Sequence, residues 1–169
     1  ARGLSDEGYP GSVRVQFHIP ARGDLPAVKV TVSSGTDVRP SKDLLHGQTP
    51  GSYGSLLIGS KASIYSSDPW NRSSALLPKK KGDELTEPAR TLPRGAGHYG
   101  EFIEACKGRG KTFSSFAIGG PLTELIQLAN IAGQVREPFH YNPLTCEIAD
   151  HKGASKLLHR EYRKGWSIE

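Results

Sequence analysis

Six residues, Gly95-Ala96-Gly97-His98-Tyr99-Gly100, fit the spacing G-x-G-x-x-G, by which backbone N–H groups at a helix start cradle the pyrophosphate of a dinucleotide. That chemistry needs a buried strand feeding the glycines and an acidic residue about 20 positions later to hold the ribose. Here Thr91-Leu92-Pro93-Arg94 precedes the glycines, and Gly119-Gly120-Pro121 stands at the later position. The chain is therefore not expected to bind NAD or NADP by itself. Arg94 and His98 suggest something else. A guanidinium and an imidazole where a long loop enters a helix N-terminus suit an oxygen-rich or anionic group, and they are the substrate-adjacent candidates. The competing role for His98 is a polar residue that only hydrogen-bonds backbone.

The other chemically capable side chains are dispersed. Cys106 falls on the apolar stripe of its predicted helix, where a small buried hydrophobe is the expected role, and no histidine is spaced to activate it. Cys146 has no metal-spaced partner. His18, His46, His140, His151 and His159 lie on different elements without i, i+3 or i+4 pairing, so no metal cluster is expected. Lys79-Lys80-Lys81 reads as a solvated loop. Basic residues are spread along the chain without interleaved aromatics, so nucleic acid is not an expected partner. Asn71-Arg72-Ser73 matches a glycosylation acceptor, a three-residue pattern common by chance.

The elements that would position these groups follow from periodicity. Val13, Val15, Phe17 and Ile19 alternate with Arg14, Gln16 and His18, a half-buried strand, and Val28, Val30 and Val32 form its antiparallel return. Ser55–Ile58 and Ala62–Tyr65 flank Gly59-Ser60-Lys61 as a second hairpin, with Gly59 able to take a positive φ. Residues 66–97 form a long loop excursion with one short strand at Ala75–Leu77. A helix is predicted from His98 to Lys107, stopped by Gly108, with Tyr99, Phe102, Ile103 and Cys106 inward. A second opens at Pro121 and runs to Gln134 with Leu122, Leu125, Ile126 and Ala129 on one stripe. A last β segment at Phe139–Tyr141 and Thr145–Ile148 precedes a basic helix from Ala154 to Lys164, with Leu157, Leu158 and Tyr162 inward. This order predicts an α+β fold, an open, mainly antiparallel sheet with helices packed on one face.

Composition bounds the rest. The chain has 169 residues, about one domain's worth, with 36% apolar and 23% charged residues, a net charge of +5 and no apolar run approaching the ~20 residues of a membrane helix. Gly 20 and Pro 12 argue for turns and long loops and against a helical bundle. Two cysteines exclude a disulfide framework. The chain has no Met, begins at Ala1 and shows no basic-then-apolar leader.

Five segments in order then resemble one family. Ala21-Arg22-Gly23-Asp24-Leu25-Pro26-Ala27-Val28, the hairpin Leu57–Tyr65, His98–Gly108, Gly120-Pro121-Leu122-Thr123-Glu124-Leu125 and the tail Arg160-Glu161-Tyr162-Arg163-Lys164-Gly165-Trp166 resemble the C-terminal α/β domain of the Gfo/Idh/MocA oxidoreductases. The likeness covers nearly the whole chain. It implies that residues 1–169 are a single domain, the C-terminal part of a longer two-domain oxidoreductase, whose N-terminal Rossmann domain binds NAD or NADP. It further implies a pocket for a sugar, polyol or related hydroxyl compound and a homo-oligomer formed through the open sheet face. The family's Lys-Pro motif and its Asp and His for proton transfer lie upstream of the strand starting at Val13, so no catalytic residue is assigned here, and this chain alone is expected to be inactive. Relatives are sometimes exported, which leaves cytoplasm and periplasm both open. The rival expectation is a free-standing carbohydrate-binding or assembly module without redox chemistry.

Overall fold

In the computed structural model the described residues are 1, 3, 8–79 and 89–166. They fall into two compact units, Ala1–Gly35 with Gly95–Glu169, and Thr36–Arg94. The fold is α+β, and every described strand pairs antiparallel. The strands form two sheets, of two and three strands, one in each unit.

The first unit is built on β1 (Val13–Ile19) and β2 (Val28–Ser34), the hairpin that the alternation predicts, in the register Val15↔Val32 and Phe17↔Val30. The half-buried face carries Val13, Val15, Phe17 and Ile19 with Val30 and Val32. The opposite face pairs Arg14 with Ser33, Gln16 with Thr31 and His18 with Lys29 and is exposed. That face is polar and partly basic.

Three helices complete the unit: α1 (His98–Cys106), α2 (Phe116–Val135) and α3 (Lys152–Lys156). The C-terminal half of α2 packs on β1. Gly133 makes this possible, because a Cβ there would stand 3.0 Å from Val13 Cγ2. Leu128, Ile131, Ile148 and Ala154 form the core, with Phe17, Val135, Phe139, Tyr141 and Leu158 packed around it. Each fully covered leucine or isoleucine contributes roughly 1.5–3 kcal/mol.

Six expectations are corrected here. Helix α2 starts at Phe116 and not at Pro121, which lies inside it. The N–H groups of Ile118 and Gly119 both donate to the Ser115 carbonyl (3.0 and 2.8 Å), so the first turn closes before the proline and Pro121 forfeits only one later bond. The buried stripe of α2 is Leu128, Ala129 and Ile131, while Leu122 and Ile126 are exposed.

The stripe on α1 is not inward either: Tyr99, Phe102 and Ile103 are 82%, 63% and 48% exposed, Cys106 is exposed, and no residue of α1 is buried. The helix is held largely by its own ends. At its C-terminus the Gly108 N–H donates to the Ala105 carbonyl and the Arg109 N–H to the Glu104 carbonyl (3.0 and 2.9 Å), with Gly108 at φ +72°. The Arg109 guanidinium also grips the Glu104 carboxylate through two bonds of 2.7 and 2.9 Å.

The expected last β segment is reduced to one isolated bridge, Asn142↔Glu147, around a turn in which Asn142 Oδ1 accepts from the Leu144 N–H. The expected basic helix stops at Lys156, because the Leu157 and Leu158 N–H groups turn back to carbonyls three residues earlier and tighten the last turn. Leu158 still packs on the core, but Leu157 and Tyr162 are exposed.

The second unit holds β3 (Ser55–Ile58), β4 (Ser63–Ser66) and β5 (Ala75–Leu77) in that spatial order. The β3–β4 turn closes through the Gly59 N–H on the Ala62 carbonyl (3.0 Å), with Gly59 outside the positive-φ set, so the glycine is not used as predicted. Strand β5 is the short strand expected inside 66–97. Lys80 and Lys81 of the lysine run lie outside the described residues. The core of this unit is Leu45, Tyr65 and Leu77, with Leu56 against it. Tyr65 also fixes the preceding loop, its hydroxyl accepting from the Gly51 N–H at 2.8 Å.

Candidate functional site

The two sequence candidates lie in different units. Arg94 ends the second unit and His98 opens α1 of the first; both are exposed. The His98 ring meets Tyr99 edge-on at 5.6 Å between centroids and caps no backbone group. The anion that the start of α1 favours is already present in the chain. Glu101 lies in its first turn, its Oε2 accepts from the Phe113 N–H at 3.1 Å, and a Cβ on Gly95 would collide with its carboxylate. A pyrophosphate approaching Gly95 would therefore meet a negative charge. All strands among the described residues pair antiparallel, whereas the dinucleotide fingerprint belongs to a parallel βαβ unit.

The polar groups that do converge lie beside α2. Glu124, Gln127, Leu128, Asn130, Ile131 and Gln134 line a cleft of about 310 Å³, closed by Tyr9, Tyr141, Leu157 and Leu158. Their spacing places them on neighbouring turns of one helix. Tyr141 hydrogen-bonds to Glu124 through its hydroxyl. Burial, then that bond, raises the phenol well above the ordinary tyrosine range, so it stays protonated. The Asn130 amide donates to the Gln127 side-chain carbonyl at 3.2 Å. The floor is apolar and the walls are amide, carboxyl and phenol.

Next to this cleft, sharing Tyr141, is a shallower hollow of about 260 Å³ with His140 and Asp150 on its rim. Asp150 accepts from the His140 main-chain N–H (3.0 and 3.2 Å) and lies 2.6 Å from Nδ1. These contacts hold the Asp150 carboxyl below the usual carboxylate range, the ring contributing most. The Asp150 carboxylate, facing Nδ1, orients the imidazole ring. With the His140 side chain 98% exposed, Nε2 meets bulk water, so the pair orients a surface imidazole and does not form an enclosed acid–base site.

His151 serves structure. Its Nδ1 accepts from the Ala154 N–H at 3.1 Å and caps α3. Its Nε2 is buried without an aligned hydrogen bond, 3.3 Å from the Glu137 carboxylate. Cys106 and Cys146 are both free thiols on the surface. Among the described residues, no three or more His, Cys, Asp or Glu side chains are grouped to hold a metal ion. No helix of the described residues is long and apolar enough to cross a membrane.

Sequence reading missed the cleft because its members stand on three separated segments, Tyr9, α2 and 141–158. The one signal available was the polar stripe Glu124, Gln127, Gln134 running alongside the apolar one on the same helix. Comparison with known proteins returned no match: no family model, no curated protein and no solved structure matches this chain.

Proposed function

We propose that this chain is the substrate-binding and oligomerisation domain of an NAD(P)-dependent oxidoreductase acting on a sugar, polyol or related hydroxyl compound. The observation that carries the reading is the ordered run of five segments resembling the C-terminal domain of the Gfo/Idh/MocA oxidoreductases. Support comes from where those segments fall: at the β1–β2 turn, on the β3–β4 hairpin, on α1 with its glycine stop, within α2, and in the tail. In this reading NAD or NADP is held by a Rossmann domain of the same polypeptide, since the glycines here do not fit a dinucleotide. Hydride transfer needs the cofactor held at near-attack distance from the substrate carbon, so the 169 residues alone are inactive. Arg94 and His98 stand on the substrate side of this scheme, and the homo-oligomer forms through the open sheet face.

Calorimetric titration with NAD and NADP tests the proposal, comparing the complete polypeptide with the 169-residue chain. The complete protein is expected to bind one of them at micromolar concentration, and the chain to bind neither. Binding by the chain that Gly97→Val abolishes would overturn it, as would a complete polypeptide without any nucleotide affinity. The latter result would leave the free-standing module.

A further inference from the structure

We infer that His151 is an acid-sensitive latch: on taking a second proton it releases the N-terminus of α3, and with it one wall of the cleft beside α2. The latch follows from the geometry around α3 and is independent of the redox proposal.

Helix N-caps are most often Ser, Thr, Asp or Asn, whose side-chain oxygen accepts from a first-turn N–H and remains an acceptor around neutral pH. Here the acceptor is a ring nitrogen, Nδ1 of His151, which takes the Ala154 N–H at 3.1 Å. A nitrogen that accepts carries no proton, so the capping ring is neutral with its proton on Nε2. The imidazolium carries an N–H at both positions and has no acceptor in either orientation of the ring. Capping and the second proton therefore exclude one another. Only the released state takes that proton, so falling pH favours release.

The groups around the ring set the balance. Glu137 places its carboxylate 3.3 Å from Nε2 and attracts the added charge. Phe139 meets the ring edge-on at 6.3 Å between centroids, and the His151 side chain is 18% exposed, so little water stands ready to replace the lost bond. Gly153 makes room for the ring, since a Cβ there would come within 3.1 Å of Cε1. Of the flanking charges, Asp150 is engaged by His140 and Lys152 is exposed. Release reaches the cleft through α3. Ala154 is fully buried in the core with Leu128, Ile131 and Ile148. The N–H groups of Leu157 and Leu158, which close one side of the cleft, donate to the Ala154 and Ser155 carbonyls. A helix of five residues has little stability of its own, so loss of its cap loosens that wall and opens the cleft in acid.

The test uses the 169-residue chain labelled with ¹⁵N and ¹³C, compared by NMR at about pH 7.5 and about pH 5, across the range in which histidine changes charge. Amide hydrogen exchange, corrected for the intrinsic rate at each pH, should show Ala154 protected at the higher pH and its protection reduced by about tenfold or more at the lower. The Leu157 and Leu158 methyl signals should move with the same midpoint as the His151 ring. In His151→Asn, whose side-chain carbonyl caps without titrating, both responses should vanish while the protection at the higher pH is kept. His140→Gln is the control for the neighbouring His140–Asp150 pair, and both responses should persist in it. The inference is overturned if the His151 ring carries its proton on Nδ1 at the higher pH, if Ala154 keeps its protection at the lower pH, or if the leucine methyl signals do not move. These three outcomes are read on the parent chain and do not depend on any variant folding. An unchanged acid response in His151→Asn, or its loss in His140→Gln, would overturn it as well.

Discussion

Truncating Phe102 and Leu128 separately to alanine asks whether apolar periodicity or actual burial sets the stability of the first unit. Phe102 sits on a predicted inward stripe yet is 63% exposed, whereas Leu128 lies off the stripe predicted for its helix and is only 7% exposed. A fully buried phenylalanine costs about 3–5 kcal/mol when cut to alanine. With about a third of the residue covered, Phe102→Ala should cost roughly 1 kcal/mol. Leu128 touches the centre of the core with Ile131, Ile148 and Ala154, so Leu128→Ala should cost about 3 kcal/mol, within the usual Leu→Ala range. Urea unfolding followed at 222 nm reads this unit, because α1, α2 and α3 all belong to it. A loss of 3 kcal/mol or more for Phe102→Ala, at a size similar to Leu128→Ala, would refute the exposed placement of α1. If that loss grew with protein concentration, the covering surface would be a second copy.

Removing the Tyr141 hydroxyl with Tyr141→Phe should cost about 1–2 kcal/mol by leaving Glu124 without its partner, measured by the same unfolding curves. Because the Tyr141 phenol is raised, the folded chain holds its proton longer than the unfolded one. The stabilisation is therefore whole below about pH 10 and falls as pH rises above it; ultraviolet titration should show a late-ionising phenol that Tyr141→Phe removes. Asp150 runs the other way: its lowered carboxyl favours the folded state above about pH 4 and the advantage is lost as pH falls. Carbon NMR should show its titration moving upward in His140→Ala. Gly108→Ala should cost about 1–2 kcal/mol from the left-handed backbone alone, since nothing lies within 4 Å of the added methyl group.

Regular alternation made the hairpins legible: the Val13–Ile19 and Val28–Ser34 pattern has one answer for which face is covered, and the structure gives it. Gly108 likewise marked the end of α1. Periodicity failed where it was asked to supply a partner, since Tyr99, Phe102 and Ile103 show that α1 has an apolar face and say nothing of what covers it. Pro121 misled because a proline reads as a helix start, whereas the turn closing on Ser115 had already begun the helix. Leu45 carries no periodic signal, lying in a turn next to the exposed Leu44, yet it is fully buried, because tertiary contacts with Tyr65 and Leu77 decide its place. The site was less legible than the fold: Arg94 and His98 were chosen from one local stretch, and the cleft is assembled from segments far apart in sequence.

The most direct test of the proposed function is hydride transfer by the complete polypeptide that contains this chain. Absorbance at 340 nm would be followed with NAD or NADP and a panel of sugars and polyols. Substrate-dependent formation of the reduced cofactor by the complete protein, with none from the 169-residue chain alone, is the predicted result. Turnover by the chain alone, or no turnover by the complete protein with any hydroxyl compound in the panel, would contradict it.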